Sequence, residues 1–413
     1  MTLFCGIDWA DDHHDIALID DTGTVLLQRR IGDDTTGWAL LLDAFAAHGD
    51  SADTPIPVAV ETSHGLLVSC LRATGRPVFA INPLAVARYR DRHSVARKKS
   101  DAGDALVLAH ILRTDMHAHR ALPADSDQAR AVTVLARAQQ DAVWDRVIAH
   151  NRLRSLLHEY YPALLVAFAS KRGGLMRPEA RTLLAAAPTP SKAARLTHTQ
   201  LVAILRRAGR TRLLQAEAAR LQQVLRADYL HQPVTVEDAM GVHALALLSL
   251  LDTACTNAER LAEAAATAFR AHPDAAIIAS FPGQGELTGA RILGELGDDP
   301  TRFTDARGLK AYAGSAPITR ASGRVRSVTT RRIKNQRLAA AGYVWAFSAL
   351  TASPGARAHY DRRRSHGDSH VAAQRNLFNR LLGCLHHCLA TGTRYDETIA
   401  FPTTPTKPET AAA

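Results

Sequence analysis

The sequence predicts an α/β domain over residues 1–125, a helical region over residues 126–270 and a mainly α-helical domain over residues 271–395. Three observations support this division. Strand and helix patterns alternate in the first part, and helical spacing with few strand-forming residues dominates the second. The third part of the chain begins at a Gly-rich turn and carries most of the basic charge. The tail over residues 396–413 has too few apolar residues to pack and is expected to be disordered.

The first part reads as strands and helices in the order β-β-β-α-β-α-β-α. Three strand-like segments open the chain, and a turn at Asp21-Thr22-Gly23 indicates that the second and third form a hairpin. Strands near residues 58–61 and 77–81 alternate with helices, which favours a mixed sheet. We expect the polar segment from Asp11 to Asp15 to be a loop between strands, although its composition would also suit a metal.

Four acidic residues lie near the predicted ends of strands or at the predicted start of a helix. Asp8 lies in the first strand and Glu61 ends the fourth. Ser100 is a suitable N-cap for a helix whose first turn carries Asp101 and Asp104, and residues three apart on a helix are neighbours. Each acid alone is compatible with a strand end or a solvated cap. Together they resemble the RNase H and RuvC fold of two-metal nucleases, in which such carboxylates would hold Mg²⁺ or Mn²⁺.

The middle region shows apolar stripes at helical spacing, of which the clearest includes Trp144, Leu153 and Tyr160, with Pro162 expected to end the helix. Such a stripe is typical of an intramolecular core. The alternative is a coiled coil between protomers.

Positive charge is concentrated near the C-terminal end. The net charge is +10, and residues 301–380 hold sixteen Lys or Arg against three Asp and no Glu. A phosphate backbone suits such a surface, although an anionic membrane or an acidic partner would also fit. The candidate nucleic-acid-binding residues are Lys98, Lys99, Arg320, Arg324, Arg326, Arg331, Arg332 and Lys334.

The third part contains two further motifs. Phe281-Pro282-Gly283-Gln284-Gly285 before an amphipathic pattern is similar to half of a helix-hairpin-helix element, whose amides can face a phosphate. Ser322-Gly323 lies among three arginines, so Ser322 is a candidate nucleophile at a phosphate with cations nearby. Ser315 and Ser327 compete with it, and a simple turn is the alternative.

The cysteines and the hydropathy indicate an intracellular protein. Five scattered cysteines do not form a disulfide framework, and Cys384 and Cys388 are expected to be buried thiols rather than zinc ligands. The sequence shows neither a signal peptide nor eighteen consecutive uncharged apolar residues, so we expect a cytoplasmic location.

With these motifs taken together, the chain resembles the insertion-sequence-110 family of transposases. The resemblance rests on Gly6-Ile7-Asp8, Val60-Glu61, Lys99-Ser100-Asp101-Ala102-Gly103-Asp104-Ala105, Phe281-Pro282-Gly283, Tyr312-Ala313-Gly314 and Ser322-Gly323. It implies that Asp8, Glu61, Asp101 and Asp104 are the catalytic, metal-binding carboxylates. It also implies that Ser322 is the nucleophile.

The resemblance further implies a DNA recombinase that is guided by a structured RNA and acts at the bacterial nucleoid. Its partners would be donor and target DNA, the guide RNA and copies of itself in a homodimer or homotetramer. Ser322 would form a phosphoserine intermediate, and guide pairing would select the sites. The main alternative is a metal-dependent DNA junction nuclease that uses water. An inactive nucleic-acid-binding protein and an actin-like kinase are weaker alternatives, since the kinase lacks a phosphate-binding glycine turn after the first strand.

Overall fold

The computed structural model describes residues 2–93, 100–169, 173–323 and 325–402. These residues form two compact units, which divide the chain between Ala124 and Asp125. Each unit is considered below by itself.

The first unit contains a five-stranded mixed sheet with the strand order β3-β2-β1-β4-β5. The first three strands form an antiparallel meander, whereas β4 and β5 run parallel to β1. The strands are β1 (Phe4–Trp9), β2 (His13–Ile19), β3 (Val25–Gly32), β4 (Val58–Val60) and β5 (Val78–Ala80), and the helices are α1 (Thr35–Ala47), α2 (Leu66–Ala73), α3 (Pro83–His93) and α4 (Asp101–Asp115), with a 3₁₀ turn at Met116–Ala118.

The α/β prediction for this part is confirmed, with two corrections. His13 and His14 belong to β2 rather than to a loop, because β2 continues its antiparallel pairing with β1 as far as Trp9 and His14. Residues Pro83–His93 form a helix that the sequence pattern did not indicate. The arginines within it, Arg88, Arg90 and Arg92, weakened the apolar periodicity on which such a prediction depends.

The sheet has an apolar core on each face, and the alternation of β1 assigns its residues to them. Phe4 packs with Ile19, Phe79 and Leu108 on the face covered by α4. Cys5 and Ile7 pack on the opposite face with residues of α1 and α2. Gly6 and Asp8 therefore face α4.

The second unit is mainly helical and contains one β-hairpin. Its helices are α5 (Asp127–Tyr160), α6 (Pro162–Phe168), α7 (Pro178–Ala186), α8 (Pro190–Ala194), α9 (His198–Arg207), α10 (Leu214–Leu225), α11 (Val234–Arg270), α12 (Ala275–Ala279), α13 (Glu286–Leu296), α14 (Ala306–Tyr312), α15 (Gln336–Ala352), α16 (Pro354–Ser365), α17 (His370–Thr391) and α18 (Glu397–Ala400); a 3₁₀ turn lies at Gly174–Met176 and the hairpin strands are β6 (Ile318–Ser322) and β7 (Val325–Thr329).

The long helices α5 and α11 connect two apolar cores. The end of α5 and the middle of α11 contribute Leu157 and Leu251 to a core that also contains α6–α10. The start of α5 and the end of α11 contribute Val132 and Phe269 to the other core, with α12–α17. The two helices are therefore antiparallel. As predicted, helix α5 ends before Pro162, at Tyr160.

Helix α11 is long and apolar enough to cross a bilayer by length and composition alone. In this unit it contributes buried residues to both cores, among them Leu248, Cys255 and Phe269. The most apolar part of α11 is 28% buried in this unit.

Candidate active site

Asp8 and Glu61 are placed on the same side of the sheet by neighbouring parallel strands. Ile7 pairs with Val60 across β1 and β4, so Asp8 and Glu61 are the next residues along each strand. Ala59 packs in the core beneath α4, whereas Val58 and Val60 pack on the opposite side. The period of two along β1 therefore directs Asp8 towards α4, and Glu61 follows β4 directly, at the carboxyl end of the neighbouring strand.

Helix α4 brings Asp101 and Asp104 to the same place. Ser100 is its N-cap and accepts a hydrogen bond from the Gly103 amide at 3.3 Å, as the sequence predicted. The helix lies directly on β1, because a Cβ atom at Gly6 would stand 2.0 Å from the Ala105 carbonyl oxygen. This close approach sets the first turn of α4 beside Asp8.

The electrostatics of Asp8 show that the four predicted acids lie together. The pKa of Asp8 is raised from 3.8 to about 6, first by burial and then by the negative charges of Asp104, Glu61, Asp101 and Asp15. Like charges disfavour ionisation unless a cation lies among them. The other three acids that the sequence singled out are therefore near enough to Asp8 for their charges to act on it.

Two arginines and two residues of β2 border this group and were not predicted as part of it. The Arg30 guanidinium donates to Asp15 at 2.7 Å and to Asp101 at 3.3 Å. Arg90 of α3 pairs with Asp104, whose side chain is buried. Ligand atoms of His13, Asp15 and Asp101 lie within 4.8 Å of one another. The signal for Asp15 was available in principle, because in antiparallel pairing it stands opposite Asp8.

The donor set fits a hard divalent cation. Carboxylate oxygens are the ligands that Mg²⁺ and Mn²⁺ prefer. Among the described residues, the ion pairs of the arginines bordering the site are with Asp15, Asp101 and Asp104. Asp8 and Glu61, with Asp101 and Asp104, would hold the metal.

Ser322 lies at the tip of the hairpin in the second unit. It is the last residue of β6, pairs with Val325 and is exposed. Gly323 follows with a φ of +56°, a conformation that favours glycine at a tight turn. Ser327 is also exposed and pairs with Arg320 across the hairpin.

Ser315 is distinguished from these two serines by burial. Its side chain is 3% exposed, donates to the Lys310 carbonyl at 3.2 Å and lies 3.2 Å from the Asn379 amide nitrogen. Its hydroxyl is therefore engaged within the fold. Of the three serines that the sequence left open, Ser322 and Ser327 are the accessible ones.

The predicted nucleic-acid-binding residues are described only in part. Lys98, Lys99 and Arg324 lie outside the described residues, as do the side chains of Arg320 and Arg326. Arg332 is exposed, and the Arg331 Nε atom is buried with no partner among the described residues. The Lys334 side chain packs against Gly314. Of the two cysteines expected to be buried thiols, Cys388 is buried and Cys384 is half-buried, and burial raises the pKa of both.

Comparison with known proteins identifies the class to which this fold and site belong. A DEDD transposase model matches residues 5–162, and the model described as "Transposase IS116/IS110/IS902 family" matches residues 275–361. The IS117 mini-circle protein of Streptomyces coelicolor, which is named as a transposase, is 64% identical over 97% of both chains. The chain is therefore a transposase, an enzyme that cuts and rejoins DNA.

More distant relatives extend the comparison across the family. The IS110 43.6 kDa protein of Streptomyces coelicolor is 29% identical over 95% of both chains. The IS900 42 kDa protein of Mycobacterium paratuberculosis is 28% identical over 93% of this chain and 94% of its own. The protein belongs to the IS110 family of insertion-element transposases.

Proposed function

We propose that this transposase cuts DNA by a serine nucleophile assisted by a carboxylate metal centre on an RNase H/RuvC-like domain. The observation that supports it is the placement of Asp8 at the end of β1 beneath the first turn of α4, where burial and the charges of Asp104, Glu61 and Asp101 raise its pKa to about 6. Neighbouring carboxylates of this kind are better suited to binding a cation than to stabilising the fold, because without a cation they repel one another.

In this proposal Asp8, Glu61, Asp101 and Asp104 hold Mg²⁺ or Mn²⁺. When bound, the metal supplies positive charge to the phosphate and lowers the pKa of an attacking hydroxyl. Arg90 holds Asp104 in place through the ion pair described above, whereas Arg30 pairs with Asp101 and would have to release it to the metal. The protein thereby presents its carboxylates preorganised at the ends of β1 and β4 and in the first turn of α4.

Ser322 is the proposed nucleophile. Its Oγ atom forms a bond to phosphorus as the bond to the 3′ oxygen breaks; the serine proton is lost to a base and the departing oxygen gains one. The products are a phosphoserine linkage and a free 3′-hydroxyl. The ester keeps the energy of the original bond, so that a 3′-hydroxyl of an exchanged strand can reverse the step without a nucleoside triphosphate. Exposure at a hairpin tip supports this role for Ser322.

The remaining features follow from membership of the family and from the basic segment. We propose that a structured guide RNA selects the donor and target DNA. The active form is a homodimer or homotetramer in which coiled-coil helices contribute to the contact between protomers. The enzyme works at the nucleoid in the cytoplasm. We further propose functional regions at residues 1–125, 126–270 and 271–395. The excess of Arg and Lys over residues 301–380 supports nucleic-acid contact there.

The test is a trap for the covalent intermediate on DNA that carries a nick beside the scissile bond. The wild type should form a protein–DNA adduct in Mg²⁺ that survives denaturation, and Ser322→Ala should form none. Ser327→Ala serves as the matched control, because it removes an exposed hydroxyl from the same hairpin and should retain the adduct. Equal DNA cleavage by Ser322→Ala would instead favour a nuclease that uses water.

A further inference from the structure

The hairpin that carries Ser322 is closed at its base by contacts between the two ends of the segment. The Asn335 amide N–H donates to the Tyr312 carbonyl at 2.8 Å, so the chain leaves the helical body after Tyr312 and returns at Asn335. Next to this bond Gly314 has a φ of +70°, and a Cβ atom there would lie 2.2 Å from the Lys334 side chain. The outgoing and returning segments are therefore in close contact.

A buried carboxylate on another helix ties this base to the rest of the unit. Glu295 of α13 is 3% exposed. It accepts two hydrogen bonds from the Arg137 guanidinium of α5, at 2.7 and 2.8 Å. It also accepts one from the Asn335 side-chain amide at 2.6 Å. A buried carboxylate with three charge-assisted or amide donors is rigidly oriented.

Asn335 connects this carboxylate to both ends of the segment. Its side-chain amide nitrogen lies 2.6 Å from the Tyr312 hydroxyl oxygen. That oxygen also accepts a hydrogen bond from the Arg302 guanidinium at 3.1 Å. Its side-chain oxygen accepts from the Leu338 amide at 2.9 Å and caps α15. One side chain thus fixes where the returning segment ends, where α15 begins and where the outgoing segment leaves α14.

We propose that Glu295, Asn335 and Tyr312 are positioning residues that set the orientation of the hairpin, and with it the direction of the Ser322 hydroxyl. This inference rests on the proposed nucleophilic role of Ser322. The network joins the two ends of one exposed hairpin segment, a placement that stability alone does not require. An in-line attack on phosphorus, in contrast, is sensitive to displacements of about 1 Å.

Two variants separate positioning from folding. Tyr312→Phe removes only the hydroxyl that receives hydrogen bonds from Asn335 and Arg302. Asn335→Asp keeps an oxygen to cap α15 but replaces the donor to Glu295 with a second carboxylate. Tyr395→Phe is the matched control, because it removes a hydroxyl that donates to Glu397 at 2.6 Å in the same unit and away from the hairpin base.

Hydrogen exchange of the amides in residues 318–329 is measured first, since it does not depend on the role of Ser322. Both variants should exchange these amides about tenfold faster than the wild type, whereas Tyr395→Phe should not. The rate of adduct formation at saturating nicked DNA should fall roughly tenfold or more in both variants, with the half-saturating DNA concentration unchanged.

Unchanged exchange in both variants would overturn the proposal, as would faster exchange with a wild-type rate of adduct formation. If the melting temperature of Asn335→Asp, followed by circular dichroism, equals that of the wild type, the cap of α15 is preserved. If the wild type forms no adduct at Ser322, the proposed function fails, and the exchange measurement alone then decides whether these residues hold the hairpin.

Discussion

Gly6 of β1 lies directly beneath the Ala105 carbonyl of α4, so closely that a Cβ atom at Gly6 would be 2.0 Å from that oxygen and 2.5 Å from the Ala109 nitrogen. Both contacts are with backbone, which cannot rotate away as a side chain can. The absence of a side chain at Gly6 is therefore what allows the first turn of α4, with Asp101 and Asp104, to approach the end of the strand that carries Asp8.

We expect Gly6→Ala to displace α4 and to disrupt the acidic site. Overpacking at such a contact costs roughly 1–3 kcal/mol of folding free energy, and DNA cleavage should fall by more than the loss of folded protein explains. Urea denaturation and a cleavage assay at matched folded concentration measure the two effects. Gly308→Ala is the control, because the nearest atom to a Cβ there lies at an ordinary contact distance of 3.5 Å. A fully active, stable Gly6→Ala variant would contradict this account of the site.

We expect Asp8→Asn to abolish cleavage without destabilising the fold in the absence of metal. The change removes a charge that burial and four neighbouring carboxylates already disfavour. Loss of a metal ligand should lower the cleavage rate by about 100-fold or more. Thermal melting in a chelator should show an unchanged or higher melting temperature.

The matched control for Asp8 is Asp20→Ala, in the same unit. The Asp20 carboxylate accepts from the Thr22 and Thr24 amides at 2.9 and 2.8 Å and so holds a turn. This variant should melt at a lower temperature. If Asp8→Asn behaved in the same way and lost stability, Asp8 would be structural.

The raised pKa of Asp8 predicts a pH dependence of stability. Between 3.8 and about 6 the unfolded chain loses the Asp8 proton while the folded chain keeps it. The contribution of Asp8 to the free energy of unfolding therefore falls as the pH rises from about 4 to about 6 and is constant above that range. In a chelator, the wild type should lose stability relative to Asp8→Asn across this window. A difference between the two that does not change with pH would exclude the raised pKa.

Arg30 should compete with a divalent cation, because it donates to Asp101, one of the proposed ligands. Arg30→Gln removes this positive charge and should raise the affinity for Mn²⁺ a few-fold, the range expected of a half-exposed ion pair. Electron paramagnetic resonance of free Mn²⁺ measures the affinity. Arg29→Gln, at the neighbouring position on β3, should leave it unchanged. A weaker affinity in Arg30→Gln would mean that Arg30 organises the ligands instead.

The local sequence was sufficient to predict much of the acidic site. The cap at Ser100, the strand ends at Asp8 and Glu61 and the pairing of the first strands all depend on residues close in the chain, so their patterns are readable. Arg90 was missed as a member of the site because its role arises from a tertiary contact with Asp104, whereas Asp15 was missed although the antiparallel pairing of β1 and β2 places it opposite Asp8.

The hairpin of the second unit was harder to predict. Ser322-Gly323 marked its turn, but the flanking strands are short and polar and resemble an irregular basic loop. The network of Glu295, Asn335 and Tyr312 joins residues up to 40 positions apart, and no local pattern reports such contacts. The burial that separates Ser315 from Ser322 is likewise a property of the packed unit.

The most direct test of the metal centre is cleavage of the protein backbone by hydroxyl radicals from Fe²⁺ bound in place of Mg²⁺. We expect cuts near Asp8, near Glu61 and in the first turn of α4, all suppressed by excess Mg²⁺ and absent in Asp8→Asn. Cuts at only one of these segments, or a pattern that persists in Asp8→Asn, would show that the four carboxylates do not share a metal.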